Sequence, residues 1–318
     1  MSGRASRTAA PQGRIAVCDG NAACSLLNGS TTSTAMVERV SWGTQCSGER
    51  KSWSPMKIEN RLATIGRCIY CGSTDPPLTK EHIIPQGLKG REFLHQASCE
   101  NCRRKTQAFE QDVLREMMRP LRIQYGLRGI KRKNSPDSIQ VTAIAPEGDY
   151  KLDLPPNEIP IAAVFPIFPE ARFFTRVPRD ENIHVKAVLK VPLHILKGEG
   201  KWPGLGSHGF QQNVPIGSFV RMLAKIAHCR AVAVYGLDAF EPFLCEIIRD
   251  SHSNWGEFIG CLSNETALTD KDEKYSDKIG IAQVNGEPII VTNIRLFKPF
   301  GAPDYHVVTG RRVAAPKT

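Results

Sequence analysis

Cys68-Ile69-Tyr70-Cys71, Thr79-Lys80-Glu81-His82-Ile83-Ile84-Pro85 and Cys99-Glu100-Asn101-Cys102-Arg103 follow one another closely, and their reading decides the fold. The two CxxC pairs are separated by 27 residues. A CxxC turn points two thiolates at one ion, and two such turns complete a tetrahedral four-cysteine zinc site. Such a site is closed, so its role is structural. It also supplies folding free energy to a segment that cannot build a sufficient core alone. Here Gly66, Gly72, Pro76, Pro77, Pro85, Gly87 and Gly90 break the chain into short pieces. A single CxxC would leave a redox pair open; two pairs in one 35-residue window favour a metal. The other six of the ten cysteines, at 18, 24, 46, 229, 245 and 261, are scattered and read as ordinary thiols. Residues 1–11 are rich in Arg, Ser, Ala and Thr and lack the apolar run of a secretory signal. A reducing, cytoplasmic setting is therefore expected.

Outward from this centre, the pattern after Ser98 turns helical, with Ala108, Val113, Leu114 and Met117 at spacings of three to four among charges, until Pro120 ends or kinks it. Residues 1–55 are rich in Ser, Thr, Gly and Ala without a sustained apolar period, and read as a disordered tail. The expected organisation is then a compact module at 56–120, a basic linker at 121–137 and a separate α+β domain at 138–318. In that last region Ile139–Ala145 and Ile183–Val191 alternate as strands, and 216–233 has a helical period. Asp238 would cap a short helix running to Ile248, and Asn285-Gly286 joins two strands as a hairpin. The most apolar stretch, Ile159–Pro169, carries three prolines and suits a buried strand or extended connection, not a membrane span.

The chain has 318 residues and a net charge of +10, from 42 Lys+Arg against 32 Asp+Glu. The excess is concentrated. Between Arg103 and Lys133 ten basic residues face three acidic ones. A stripe of this kind is the electrostatic footprint of a polyanion such as nucleic acid, although a solvated helix face produces the same pattern.

The pattern CIYC…EHIIP…ASCENCRRKT resembles the HNH endonucleases, whose ββα-metal fold is in one subset stapled by two zinc-binding CxxC pairs. The resemblance covers residues 68–110 and does not reach 139–318. It implies a metal-dependent endonuclease that hydrolyses phosphodiester bonds in DNA, with RNA as the alternative substrate. It assigns structural Zn²⁺ to Cys68, Cys71, Cys99 and Cys102. It makes Glu81 a ligand of a catalytic Mg²⁺ or other divalent ion, and His82 the general base that activates water. Imidazole suits that task because its ordinary pKa is ~6.5. Neighbours on an ideal strand point to opposite faces, so Glu81 and His82 share a site only if the strand ends or twists there.

The chain also departs from that family. Many zinc-stapled members carry His or Asn directly after the last cysteine, where this chain has Arg103, and a guanidinium cannot ligate a cation. Thr106, Gln107 and Glu110 follow at helical spacing. Among them only Glu110 offers the charged oxygen that Mg²⁺ prefers, so it is the candidate second ligand of the catalytic ion. Arg103, Arg104 and Lys105 are expected to grip phosphates. The alternative reading is a zinc module that binds nucleic acid but has lost its nuclease site.

Overall fold

The computed structural model describes residues 13–17, 64–124, 127, 138–145, 148–155, 161–176, 183–190, 210–250, 254–261, 275–297 and 300–313. Helices and antiparallel strands mix throughout, so the architecture is α+β. Of the 1–55 segment, β1 (Gly13–Val17) pairs antiparallel with β8 (Phe210–Val214), which corrects the expected tail at those five residues. The rest of that segment, and residues 128–137 of the expected basic linker, lie outside the described residues.

The cysteine-rich segment forms two strands and a helix: β2 (Leu78–His82), β3 (Phe93–Cys99) and α1 (Glu100–Asp112). Cys102, Thr106 and Phe109 are the buried residues of α1, and Val113 continues the same face at i, i+4, i+7 and i+11. The helix then widens into a π-turn at Val113–Met117, where the Met118 N–H donates to the Val113 carbonyl at 2.9 Å. A second helix, α2 (Arg119–Gln124), starts immediately before Pro120. Proline has no N–H to continue the first helix, so the break falls where the sequence places it.

Downstream come the hairpins β4 (Ile139–Ala145) with β5 (Gly148–Leu154) and β6 (Ile161–Ile167) with β7 (His184–Lys190). The short α3 (Arg172–Thr175) lies between β6 and β7 in the chain. After β8 comes α4 (Ile216–Tyr235), then β9 (Phe240–Pro242), α5 (Cys245–Arg249) and β10 (Ile259–Cys261). The helix expected from Asp238 to Ile248 is thus split. Phe240 is buried opposite Arg312, the Phe243 N–H donates to the Thr309 carbonyl at 3.1 Å, and Pro242 cannot donate at all. The chain closes with β11 (Tyr275–Val284), β12 (Glu287–Leu296) and β13 (Tyr305–Arg312) in a sheet ordered β10-β13-β12-β11, with β9 added on β13. Asn285 and Gly286 take the two positive φ angles, 52° and 82°, that their hairpin requires.

Helix α4 organises the molecule. Every residue from Met222 to Val232 is buried, so no face is left for water, and a helix apolar on all sides must be enclosed. It packs against the five-stranded sheet and against α1. One apolar cluster therefore runs from Cys68, Ile83, Leu94 and Phe109 through Phe219 and Leu223 to Ile290, Tyr305 and Val307. The separateness expected of residues 138–318 gives way to a continuous core, because α4 buries itself against both segments.

Candidate metal centre and buried ion-pair site

The four paired cysteines converge. The first pair sits in a tight knuckle in which the Cys68 N–H donates to the Ser73 carbonyl at 2.7 Å and the Gly72 N–H to the Cys68 carbonyl at 2.9 Å. Gly72 takes φ 76°, the left-handed region that glycine enters without a Cβ clash. The second pair opens α1, with Cys99 as the residue before the helix and Cys102 buried in its first turn. The four Sγ atoms lie within 4.8 Å of one another, and Cys71 and Cys99 approach to 3.7 Å. A tetrahedron with Zn–S of ~2.3 Å has edges of ~3.8 Å. The cluster could therefore hold a metal ion such as zinc. Without an ion, burial pushes the Cys68 and Cys102 thiols up, and at Cys102 the nearby Cys68 adds to the shift. An ion would favour the thiolates instead.

The hairpin beside this cluster carries the Glu-His pair. Glu81 stands opposite Leu94 and His82 opposite Phe93. Glu81 therefore shares the buried face with Leu94. His82 shares the other face with Phe93, at 5.4 Å between ring centroids, and with Lys80, whose ammonium lies 5.2 Å from the Phe93 ring. The strand ends at His82, and the His82 ring remains near enough to Lys225 and Glu110 to be shifted by both charges. Just beyond, the Ile84 carbonyl crosses so close to Gly90 that a Cβ there would meet it at 2.0 Å.

The inward carboxylate of Glu81 meets a lysine from 144 positions along the chain. Lys225 of α4 is fully buried, and its Nζ lies 3.0 Å from Glu81 Oε1 and 2.9 Å from Glu110 Oε1. It also donates to the His82 backbone carbonyl and, at 3.5 Å, to that of Ile83. Burial alone would lower the pKa of Lys225, but the Glu110 and Glu81 carboxylates outweigh it and hold the group protonated. For Glu81 burial is the larger effect and raises its pKa, with Lys225 opposing. His82 is pushed below the ordinary imidazole value by burial, then by Lys225 and Lys80. Neither ring nitrogen makes a hydrogen bond of ordinary geometry, and the Gly90 backbone beside the ring pulls its pKa slightly the other way. The Arg103 and Arg104 side chains both turn back onto the Glu100 carboxylate, at 2.8–2.9 Å. Those two guanidinium groups hold Glu100 down to a pKa of about 2.

The chain matches no protein-family model, no curated protein and no solved structure. What the residues can do is therefore read from their geometry. The structure brings together Cys68, Cys71, Cys99 and Cys102, and separately Glu81 and Glu110. His82 packs on the Phe93 ring, within range of the Lys225 and Glu110 charges. Lys105 donates to the Arg249 carbonyl at 3.2 Å, so part of the basic stripe is engaged internally. Thr106 is buried and donates to the Arg103 carbonyl at 3.0 Å, and Gln107 accepts from Arg103 at 3.2 Å. A divalent ion does not fit between Glu81 and Glu110 in this arrangement, because an ammonium already stands between them. Among the described residues, the cysteine cluster is the one group of three or more His, Cys, Asp or Glu side chains close enough to hold a metal.

Sequence reasoning missed Lys225, and with it His228 and Arg230 on the same helix. The His228 Nε2 lies 2.8 Å from the Ile69 carbonyl, and Arg230 pairs with Glu92 and Asp277 at 2.6 Å each. A signal was present. Met222-Leu-Ala-Lys225-Ile-Ala-His228-Cys-Arg230-Ala-Val232 is apolar on every helical face, so its three polar side chains must be buried and must find partners.

Proposed function

We propose that the protein is a DNA endonuclease of the HNH type, a hydrolase of phosphodiester bonds stapled by structural zinc. The observation that supports it is the imidazole of His82, which makes no hydrogen bond of ordinary geometry, in a strand-strand-helix unit that carries four converging cysteines. Buried polar atoms in native proteins are nearly always hydrogen-bonded, and an exception marks a strained or functional group. In this reading a ring nitrogen of His82 takes the proton of the attacking water, whose oxygen bonds to phosphorus as the ester oxygen leaves. Arg103, Arg104 and Lys105 lie on the first turns of α1 and supply phosphate contacts when they exchange their internal partners for DNA. RNA is the alternative substrate.

A second reading is favoured by Lys225. An ammonium stands between Glu81 and Glu110, where the resemblance implies a divalent ion, and a protein whose cleavage chemistry depends on an ion at that pair is then a zinc module that binds nucleic acid without cutting it. Incubation of supercoiled plasmid with the full chain in Mg²⁺, Mn²⁺ or EDTA separates the two. The first reading expects nicked and linear products that His82→Ala loses while its DNA binding persists. Binding with no cleavage under any of these conditions would establish the second.

A further inference from the structure

We infer that Lys225 is the resident cation of the Glu81–Glu110 pair, taking the position of a divalent metal and excluding one from it. This rests on the reading of Glu81 and Glu110 as a cation site within an HNH-type unit. The geometry is that of a filled site. Two carboxylates from different elements, the end of β2 and the last turn of α1, converge to 3.0 and 2.9 Å on one nitrogen. The same nitrogen takes the backbone carbonyls of His82 and Ile83, so oxygen atoms surround it as they would a hard ion. Neither Arg103 nor Thr106 can add a ligand, since Arg103 pairs with Glu100 and the Thr106 hydroxyl bonds within its helix.

The chemistry differs from a metal in one decisive respect. An ammonium carries one charge and fixed protons, and it is tethered through α4 to the five-stranded sheet. Its attraction to both carboxylates holds β2, α1 and α4 in register, a contact that free metal would make only at the expense of a chelatable cofactor. A metal entering this pair must displace a group that has no exposure to water. Metal binding at Glu81 and Glu110 is therefore coupled to expulsion of Lys225, and the parent protein resists it.

The test uses Mn²⁺ alone, without DNA, so that it stands apart from the nuclease reading. Mn²⁺ binding to the full-length, zinc-loaded chain is followed by loss of the free-ion electron paramagnetic resonance signal. The parent and Glu110→Gln should titrate identically, because the pair takes up no Mn²⁺ in the parent. Lys225→Met should gain one Mn²⁺ that Lys225→Met/Glu110→Gln does not. A site in the parent that disappears in Glu110→Gln would overturn the inference. So would a folded Lys225→Met, judged by circular dichroism, that gains no Mn²⁺. If Lys225→Met does not fold, the comparison of parent and Glu110→Gln decides alone. Plasmid nicking is scored separately: cleavage can be present or absent with either result, so the two readings fail independently.

Discussion

His306, half-buried on β13, packs its ring against Phe174 at 5.2 Å, and desolvation of the ring lowers its pKa to about 4. His228 is enclosed and likewise lowered to about 4. The sign of the linkage follows. An imidazole with a folded-state pKa below its unfolded value of ~6.5 is protonated more readily in the unfolded chain. Stability is then full above pH ~6.5 and falls as pH drops toward 4, at about 1.4 kcal/mol per pH unit for each proton. Glu81 and Asp277, raised by burial, act in the opposite sense, so the absolute slope mixes several groups. The difference between the parent and His306→Phe isolates one. Urea midpoints measured from pH 7.5 to 4.5 should fall less steeply in His306→Phe, by close to one proton; parallel curves would show that His306 charges freely in the folded protein. Legibility at this scale was uneven. Glu81, His82 and Glu110 stood out as chemistry-bearing residues near the cysteines. Lys225 did not, because nothing local ties a lysine on a distant helix to a carboxylate on a hairpin, and only packing of α4 against α1 makes the pair.

Elements with a strong local period were legible, and those set by tertiary contacts were not. The Asn285-Gly286 hairpin, the long helix α4 and the strand β4 follow from turn chemistry and apolar spacing alone. The stretch from Asp238 to Ile248 reads as one helix but is split by pairing of β9 with β13, in which Phe240 stands opposite Arg312, 72 residues away in sequence. The two CxxC turns belong to the legible class, and their convergence yields a direct prediction. Protein purified without chelator should carry one zinc per chain by elemental analysis, and Cys99→Ser less than half an equivalent. Because Tyr70 and Ile69 beside the knuckle touch Cys229 and His228 of α4, loss of the ion should also lower the thermal stability of the whole core. A full equivalent of zinc in Cys99→Ser would remove that cysteine from the cluster. On α1 the basic run makes a second prediction. Each neutralised phosphate changes the slope of log affinity against log salt by about 0.9. Replacing Arg103, Arg104 and Lys105 together by alanine should reduce the slope measured by fluorescence anisotropy by up to roughly 2.7. An unchanged slope would place the phosphate contacts elsewhere.

For the molecule as a whole, the expected α+β class matches the mixture of helices and antiparallel sheets, while the expected division into separate units does not describe the packing. The reason lies in α4. Its apolar character was legible, but a sequence does not say which neighbours an all-apolar helix will take, and here it takes both the hairpin module and the C-terminal sheet. Among the described residues no helix is long and apolar enough to cross a membrane. The continuous core gives the proposed nuclease a fixed frame: the cysteine cluster anchors the start of α1, Lys225 ties its last turn to β2, and His82 ends that strand without a ring hydrogen bond of ordinary geometry. A general base contributes ~10²–10⁴-fold to the rate of such a reaction. The most direct measurement is single-turnover cleavage of end-labelled duplex DNA by the parent and by zinc-loaded His82→Ala, at matched metal, salt and pH. The account predicts a loss of that size in His82→Ala with unchanged DNA affinity; equal cleavage rates for the two proteins would contradict it.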